Sequence, residues 1–294
     1  MPLRSPDVQA AAAPRPFALT RVGVRGVRKP ATVHRPGQKA HGVVAVFDLF
    51  VDLPKTQKGT HMSRNLEALA DILDDETRGH EDAGLENLCG RLAARLLEKH
   101  DYATHAVVHA EGDYFLTRTN PGGKPSVEAY TILAEAEAFR DGKPAVRRIG
   151  VEVVGMTACP CAMETARHKF AQLGKPVPPD LPFITHNQRN RVRLMLDVPG
   201  DADVEAAHLV DLCEQGLSAP TFELLKRGDE GDLVIQAHAA PRFVEDVVRE
   251  VLHAARDRFR ALGDTGIFVS SEAEESIHKH NAYAERRTTL GALE

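Results

Sequence analysis

Two cysteines separated by one proline, Cys159-Pro160-Cys161, follow the β-rich run VEVVGMT. Their side chains point to different sides and a disulfide needs specific geometry, so they are poorly placed to bridge each other. The spacing also differs from that of a redox Cys-x-x-Cys. A thiolate at a strand end suits metal ligation or nucleophilic attack; a packed pair of cysteines in a turn has the same sequence. Two histidine clusters offer partners. His186 stands in THNQR, directly ahead of an alternating strand and beside the polar donors Asn187, Gln188 and Arg189. In EESIHKH, Glu275 precedes His278 by one helical turn's spacing, and His280 follows. A Glu-x-x-His pair supplies a ligating imidazole and an orienting carboxylate, although such a pair in a polar tail is also incidental. Should Cys159, His186 and His278 meet, they form a Cys/His/His set with an open position, the mark of a catalytic metal centre.

A second chemistry belongs to the loop Lys55-Thr-Gln-Lys58-Gly-Thr-His61-Met-Ser-Arg64. Its cations, hydroxyl groups and glycine suit a phosphate ligand. It is not a P-loop, because the GxxxxGK[ST] order is absent. Lys226-Arg227 is a second, smaller basic pair. The net charge of −5 argues against a global field for nucleic acid. Four cysteines in 294 residues do not build a disulfide framework, and Cys89 and Cys213 read as small buried hydrophobes. No apolar run approaches the ~20 residues needed to span a bilayer, and the N-terminus lacks a signal-peptide core. These features predict a reduced, cytoplasmic protein with no membrane partner.

The elements that must position these groups alternate between strand and helix patterns. Residues 1–40, rich in Pro, Arg and Ala, read as a partly extended N-terminal arm. A first module over 41–145 starts with the strand HGVVAVFDLFVDL. Two helices follow, the second with Leu85, Leu88, Leu92, Leu96 and Leu97 at helical spacing. THAVVHAE and DYFLTRTN then read as two strands about a glycine turn, and VEAYTILAEAEAF as another. A second module over 146–294 holds the strand ending at Cys159, a helix over CAMETARHKFAQ, the strand RVRLMLDVP, a helix over VEAAHLVDLCEQGL, a short helix or turn at FELLKR, a long amphipathic helix from Pro241, and GIFVSSEA running into a polar tail. The fold class predicted is α+β: two tandem modules, each an antiparallel sheet backed by helices.

Taken together, FVDLPKTQKGTHMSR, GMTACPCAMETA, THNQR, ELLKRGDE, PRFVEDVVR and ESIHKHNAYA, in this order, resemble the GTP cyclohydrolase IB family, which includes the archaeal enzymes forming dihydroneopterin cyclic phosphate. The resemblance implies the tunnelling fold, a homotetramer with active sites at subunit interfaces, and a divalent metal: zinc, iron(II) or manganese. It implies conversion of GTP and water to formate and 7,8-dihydroneopterin triphosphate, the alternatives being a cyclic-phosphate product or a pterin- or purine-binding protein of altered substrate. By motif, Cys159, His186 and His278 fall on metal ligands and Glu275 on a nearby catalytic acid. Cys161 is a further catalytic candidate. Lys58, His61, Arg64, Lys226 and Arg227 are candidates for substrate binding. Two positions depart from the pattern. Pro220 stands where the bacterial enzymes carry a glutamate ligand, for which Glu223 could substitute on a helix, where i and i+3 share a face. Gln236 stands where a carboxylate holds the guanine edge.

Overall fold

The computed structural model describes residues 7–33, 41–77, 84–179, 181–200 and 202–293. Nine strands and six α-helices are found among them: β1 (Leu19–Val33), β2 (His41–Leu53), α1 (Met62–Thr77), α2 (Leu85–Lys99), β3 (His105–Thr119), β4 (Pro125–Phe139), β5 (Val146–Ala158), α3 (Pro160–Gln172), β6 (Asn187–Asp197), α4 (Ala206–Gly216), β7 (Ala219–Pro220), α5 (Arg227–Ala239), α6 (Val244–Arg258), β8 (Gly266–Ala273) and β9 (Ala282–Thr289). None of the helices is long and apolar enough to cross a membrane. The class is α+β, with the sheet antiparallel in its β1–β2, β2–β3, β6–β8 and β8–β9 pairs.

The chain divides into two compact units. The first holds the described part of Met1–Asp113, with Leu133–Ile149 and flanking residues of Val198–Asp203. Its sheet runs β1-β2-β3, continued by the parts of β4 and β5 that belong to it. Helix α2 buries the predicted leucine stripe, Leu85, Leu88, Leu92, Leu96 and Leu97, while Phe47 and Leu49 of β2 point into the same interior. Burying one such side chain is worth about 1.5–3 kcal/mol. The second unit comprises Tyr114–Ile132, Gly150–Asp197 and the described part of Val204–Glu294. In it β5-β6-β8-β9 are neighbours in order, β7 pairs with β5, and α6 packs on β8, β9 and α4.

Four elements differ from the sequence reading. Residues 19–33 of the proposed arm form β1, paired along β2 from Leu19↔Leu53 to Val33↔His41; the arm's residues 1–6 and 34–40 lie outside the described residues. Strand β3 is continuous through Gly112, which pairs with Ala45; there is no turn. A Cβ at Gly112 would come within 3.0 Å of Val43 and 3.2 Å of the Val44 carbonyl, so the glycine serves close strand approach rather than reversal. Helix α5 carries two glycines and mixed polarity along RGDEGDLVIQAHA and so shows little apolar periodicity. Strand β9 hides in the polar tail because its side chains are mostly exposed or half-buried.

One buried polar network braces the basic loop from below. His100 has no exposed surface. The Asn65 amide nitrogen donates to the Leu49 carbonyl (3.1 Å), which leaves Asn65 Oδ1 to accept from His100 Nε2–H (2.7 Å). His100 Nδ1 therefore accepts from the Tyr102 hydroxyl (2.8 Å), and that hydroxyl accepts from Thr60 at the start of α1. Burial, with the cation of Arg64 nearby, pulls the His100 pKa from 6.5 down to about 4. A depressed imidazole pKa means that the unfolded chain binds the proton more readily than the folded one. Its stabilisation is thus present above pH ~6.5 and is lost as pH falls towards 4, by roughly 3 kcal/mol over that window. Urea unfolding between pH 7 and pH 4 is expected to show this loss in the wild type and a shallower pH slope in His100→Asn. Equal slopes in the two proteins would refute it.

Candidate active site

Strand β5 ends at Ala158, and the next residue is the N-cap of α3. Cys159 Sγ accepts from the Ala162 amide at 3.4 Å, and Pro160 occupies the first helical turn, where its missing N–H costs nothing. The two cysteines of Cys-Pro-Cys thus differ in position: Cys159 caps the N-terminus of α3 through its Sγ. Cys161 sits in the first turn of α3 and is exposed.

His186 is delivered by the backbone. Its carbonyl accepts from the Cys159 amide (3.0 Å), and the neighbouring Thr185 hydroxyl donates to the Cys159 carbonyl (2.7 Å). His186 Nδ1–H donates to Gln188 Oε1 (2.9 Å), and Gln188 Nε2 donates to Glu275 (3.4 Å). Glu275 also lies 3.7 Å from His186 Nδ1. This chain fixes the tautomer: Nδ1 carries the proton and Nε2 keeps its lone pair. The side chains of His186 and Glu275 are only 11% and 12% exposed, so the hydrogen bonds between them are largely shielded from water. Glu275 is carried just beyond β8, where the amide of Glu274 donates to the Arg189 carbonyl (2.9 Å).

A cavity of about 240 Å³ opens over this group. Cys159, Gln188 and Glu275 line it together with Arg242, Phe243 and Tyr283, which the sequence reading did not single out. Arg242 donates its amide to the Ala158 carbonyl (2.9 Å) and a guanidinium N–H to the Gln215 carbonyl (2.6 Å), which fixes it in the cavity wall. The available signal was Pro-Arg-Phe immediately ahead of the amphipathic α6.

The other sequence candidates lie elsewhere. His278 stacks on His280 (centroids 5.2 Å apart) in exposed chain. Among the described residues no three His, Cys, Asp or Glu side chains converge to hold one ion. Pro220 lies in β7 opposite Gly155, and residues 221–226 are not helical, so the condition under which Glu223 would share a face with that position does not arise. Glu223 is exposed, and its amide donates to the buried Glu128 (3.0 Å). Lys226 caps α5, Arg227 begins it, and Gln236 is exposed along it. In the first unit, Lys58 is exposed, His61 meets Asp7, and Arg64 donates to the Lys99 carbonyl (3.1 Å).

The donor chemistry fits a transition metal in part. A helix-capping thiol and an imidazole with Nε2 available belong to residues joined through their backbones, and a carboxylate orients the imidazole through Gln188. Comparison with known proteins gives this chemistry a family. Residues 5–284 match the family described as Type I GTP cyclohydrolase folE2. The chain belongs to the type I GTP cyclohydrolase family. Similar curated proteins are each called GTP cyclohydrolase MptA. The one from Methanocorpusculum labreanum is 42% identical over 303 residues, covering 98% of this chain and 97% of its own. That from Methanothermobacter thermautotrophicus is 41% identical over 301 residues, covering 98% and 94%. Among solved structures, the uricase from Arthrobacter globiformis aligns with a TM-score of 0.56 at 10% identity over 92% of this chain and 93% of that one. That likeness shows the fold alone, the tunnelling fold. The segments that carry the cyclohydrolase resemblance thus sit on a tunnelling-fold scaffold, with Cys159, His186 and Glu275 held in one unit.

Proposed function

We propose that this type I GTP cyclohydrolase opens the imidazole ring of GTP at C8, releases formate and closes a dihydropterin, with Cys159, His186 and Glu275 at the reacting centre. The observation that carries the reading is that Cys159, Gln188 and Glu275 line one cavity, with His186 bonded behind them to Gln188 and, through its carbonyl, to the Cys159 amide. Cys159 and His186 Nε2 would hold a divalent metal; His278, the third ligand by motif, stands exposed and stacked on His280 and would have to be brought to them. Zinc, iron(II) and manganese all suit thiolate and imidazole donors. When bound, such an ion supplies Lewis acidity and a nucleophilic oxygen at neutral pH. Glu275 moves the proton that ring opening delivers to nitrogen, and Gln188 holds Glu275 and His186 in one geometry. Cys161, exposed on the first turn of α3, is kept as a secondary catalytic candidate.

The cavity is smaller than the roughly 300–1,000 Å³ of most whole-ligand sites, and suits the base of a nucleotide rather than all of it. This supports completion of the site by a second copy of the chain, within a homotetramer. Lys58, His61, Arg64, Lys226 and Arg227 are the groups proposed to hold the triphosphate, and Gln236 the guanine edge. The triphosphate product is the main reading and the cyclic phosphate the second; the cytoplasm is the compartment proposed. Anaerobically purified protein with added manganese or iron(II) is expected to release one formate and one fluorescent pterin per GTP. Mass spectrometry of the product separates triphosphate from cyclic phosphate, and no formate under either metal would refute the reaction.

A further inference from the structure

The N-terminal residues Asp7–Ala11 lie directly on the basic loop. The Ala11 carbonyl accepts from the Lys58 amide (2.9 Å), and the Gln9 carbonyl accepts from the Gly59 amide (3.1 Å). The Asp7 carboxylate accepts from His61 Nε2, with both oxygens 3.0 Å away, and from the Ala10 amide (3.1 Å), which fixes its direction. Two consequences follow. The backbone donors at Lys58 and Gly59, which a phosphate-cradling loop would turn to its ligand, are already occupied. A carboxylate on Nε2 also means that this nitrogen carries the proton, so His61 has only Nδ1 left to offer. His61 Nδ1 is buried, and no partner for it exists among the described residues. A buried polar atom without a partner costs free energy unless something supplies the missing bond.

The loop is therefore held on two sides: by Thr60, Tyr102, His100 and Asn65 within the fold, and by the N-terminal segment on its outer side. Building on the reading that this loop holds the triphosphate, we propose that Asp7–Ala11 is a latch that sets the loop's conformation. In this role Asp7 is a positioning residue that acts through His61, fixing the ring and with it the loop that carries Lys58. The latch leaves anion binding at this loop to side chains, chiefly Lys58, and not to the backbone amides.

The test uses the full chain as wild type, Asp7→Ala and Asp7→Asn. The asparagine removes the charge but keeps an oxygen that accepts from Nε2–H, so it separates the hydrogen bond from the charge. Hydrogen exchange by mass spectrometry over the segment 55–61 is expected to be faster in Asp7→Ala and near wild type in Asp7→Asn. Calorimetric affinity for inorganic triphosphate is expected to fall about three- to fivefold in Asp7→Ala, the scale of one exposed charged contact, and to be restored in Asp7→Asn. For GTP turnover, the same split is expected in KM with kcat little changed. Unchanged exchange in Asp7→Ala overturns the latch. Faster exchange with unaltered or tighter triphosphate binding overturns its role in presenting the loop, and would make Asp7 a competitor of the anion. Both readouts are available even if the wild type releases no formate, a result that would sink the proposed reaction alone.

Discussion

Replacing Cys159 with serine is expected to reduce formate release on the order of 10³-fold or more and to abolish stoichiometric metal binding, while the fold persists. The choice of serine follows from the dual position of Cys159. As N-cap of α3 it accepts from the Ala162 amide, and a hydroxyl performs that task well; an alanine there would cost about 0.5–2 kcal/mol. Serine therefore keeps the helix start and removes only the thiolate, the donor whose softness and charge suit zinc or iron(II). Cys161→Ser, at the secondary candidate on the same turn, is measured beside it: activity within about threefold of wild type would leave the thiol chemistry to Cys159, and an equal loss would place Cys161 at the reacting centre. Metal content per subunit, circular dichroism and formate release on the two variants decide the matter. An active Cys159→Ser enzyme would show that the thiolate is not at the reacting centre.

The second large effect is expected at Glu275. Glu275→Gln preserves shape but removes the charge and the capacity to move a proton, so kcat should fall by about 10²–10⁴. KM is expected to change little, because Glu275 bonds to Gln188 and His186 within the protein framework. The amide at this position can still accept from Gln188 Nε2, so His186 should keep its tautomer. A loss confined to metal affinity would instead make Glu275 only an orienting carboxylate, and a kcat within about threefold of wild type would remove it from the mechanism.

Much of the scaffold was legible because its physics is local. The leucines of α2 recur at the period of a helix and are buried together. The alternation in β2 and β6 places one face inward in each. Where local pattern and tertiary role diverged, the reading failed. Gly112 reads as a turn in isolation, yet it sits in mid-strand paired with Ala45, where β2 leaves only tight space for a Cβ. Strand β9 is polar along most of its length and takes its identity from pairing with β8, from Gly266↔Thr289 to Ala273↔Ala282. Strand β1 likewise exists through its partner, β2.

The site divides in the same way. Sequence alone determined which residue types carry the chemistry and, through the company of Cys-Pro-Cys, THNQR and ESIH, the family to which they belong. By motif it singled out Cys159 over Cys161; what it could not supply was their setting, the strand-to-helix junction that makes one the cap of α3 and leaves the other exposed. Nor could it find Gln188 as the link between His186 and Glu275, the Arg242 amide as the partner of the Ala158 carbonyl, or Asp7 as the partner of His61. Those relations join residues from 54 to 87 positions apart, except for the near neighbours His186 and Gln188. Contacts at such separations are set by how strands and helices pack, which no local pattern encodes.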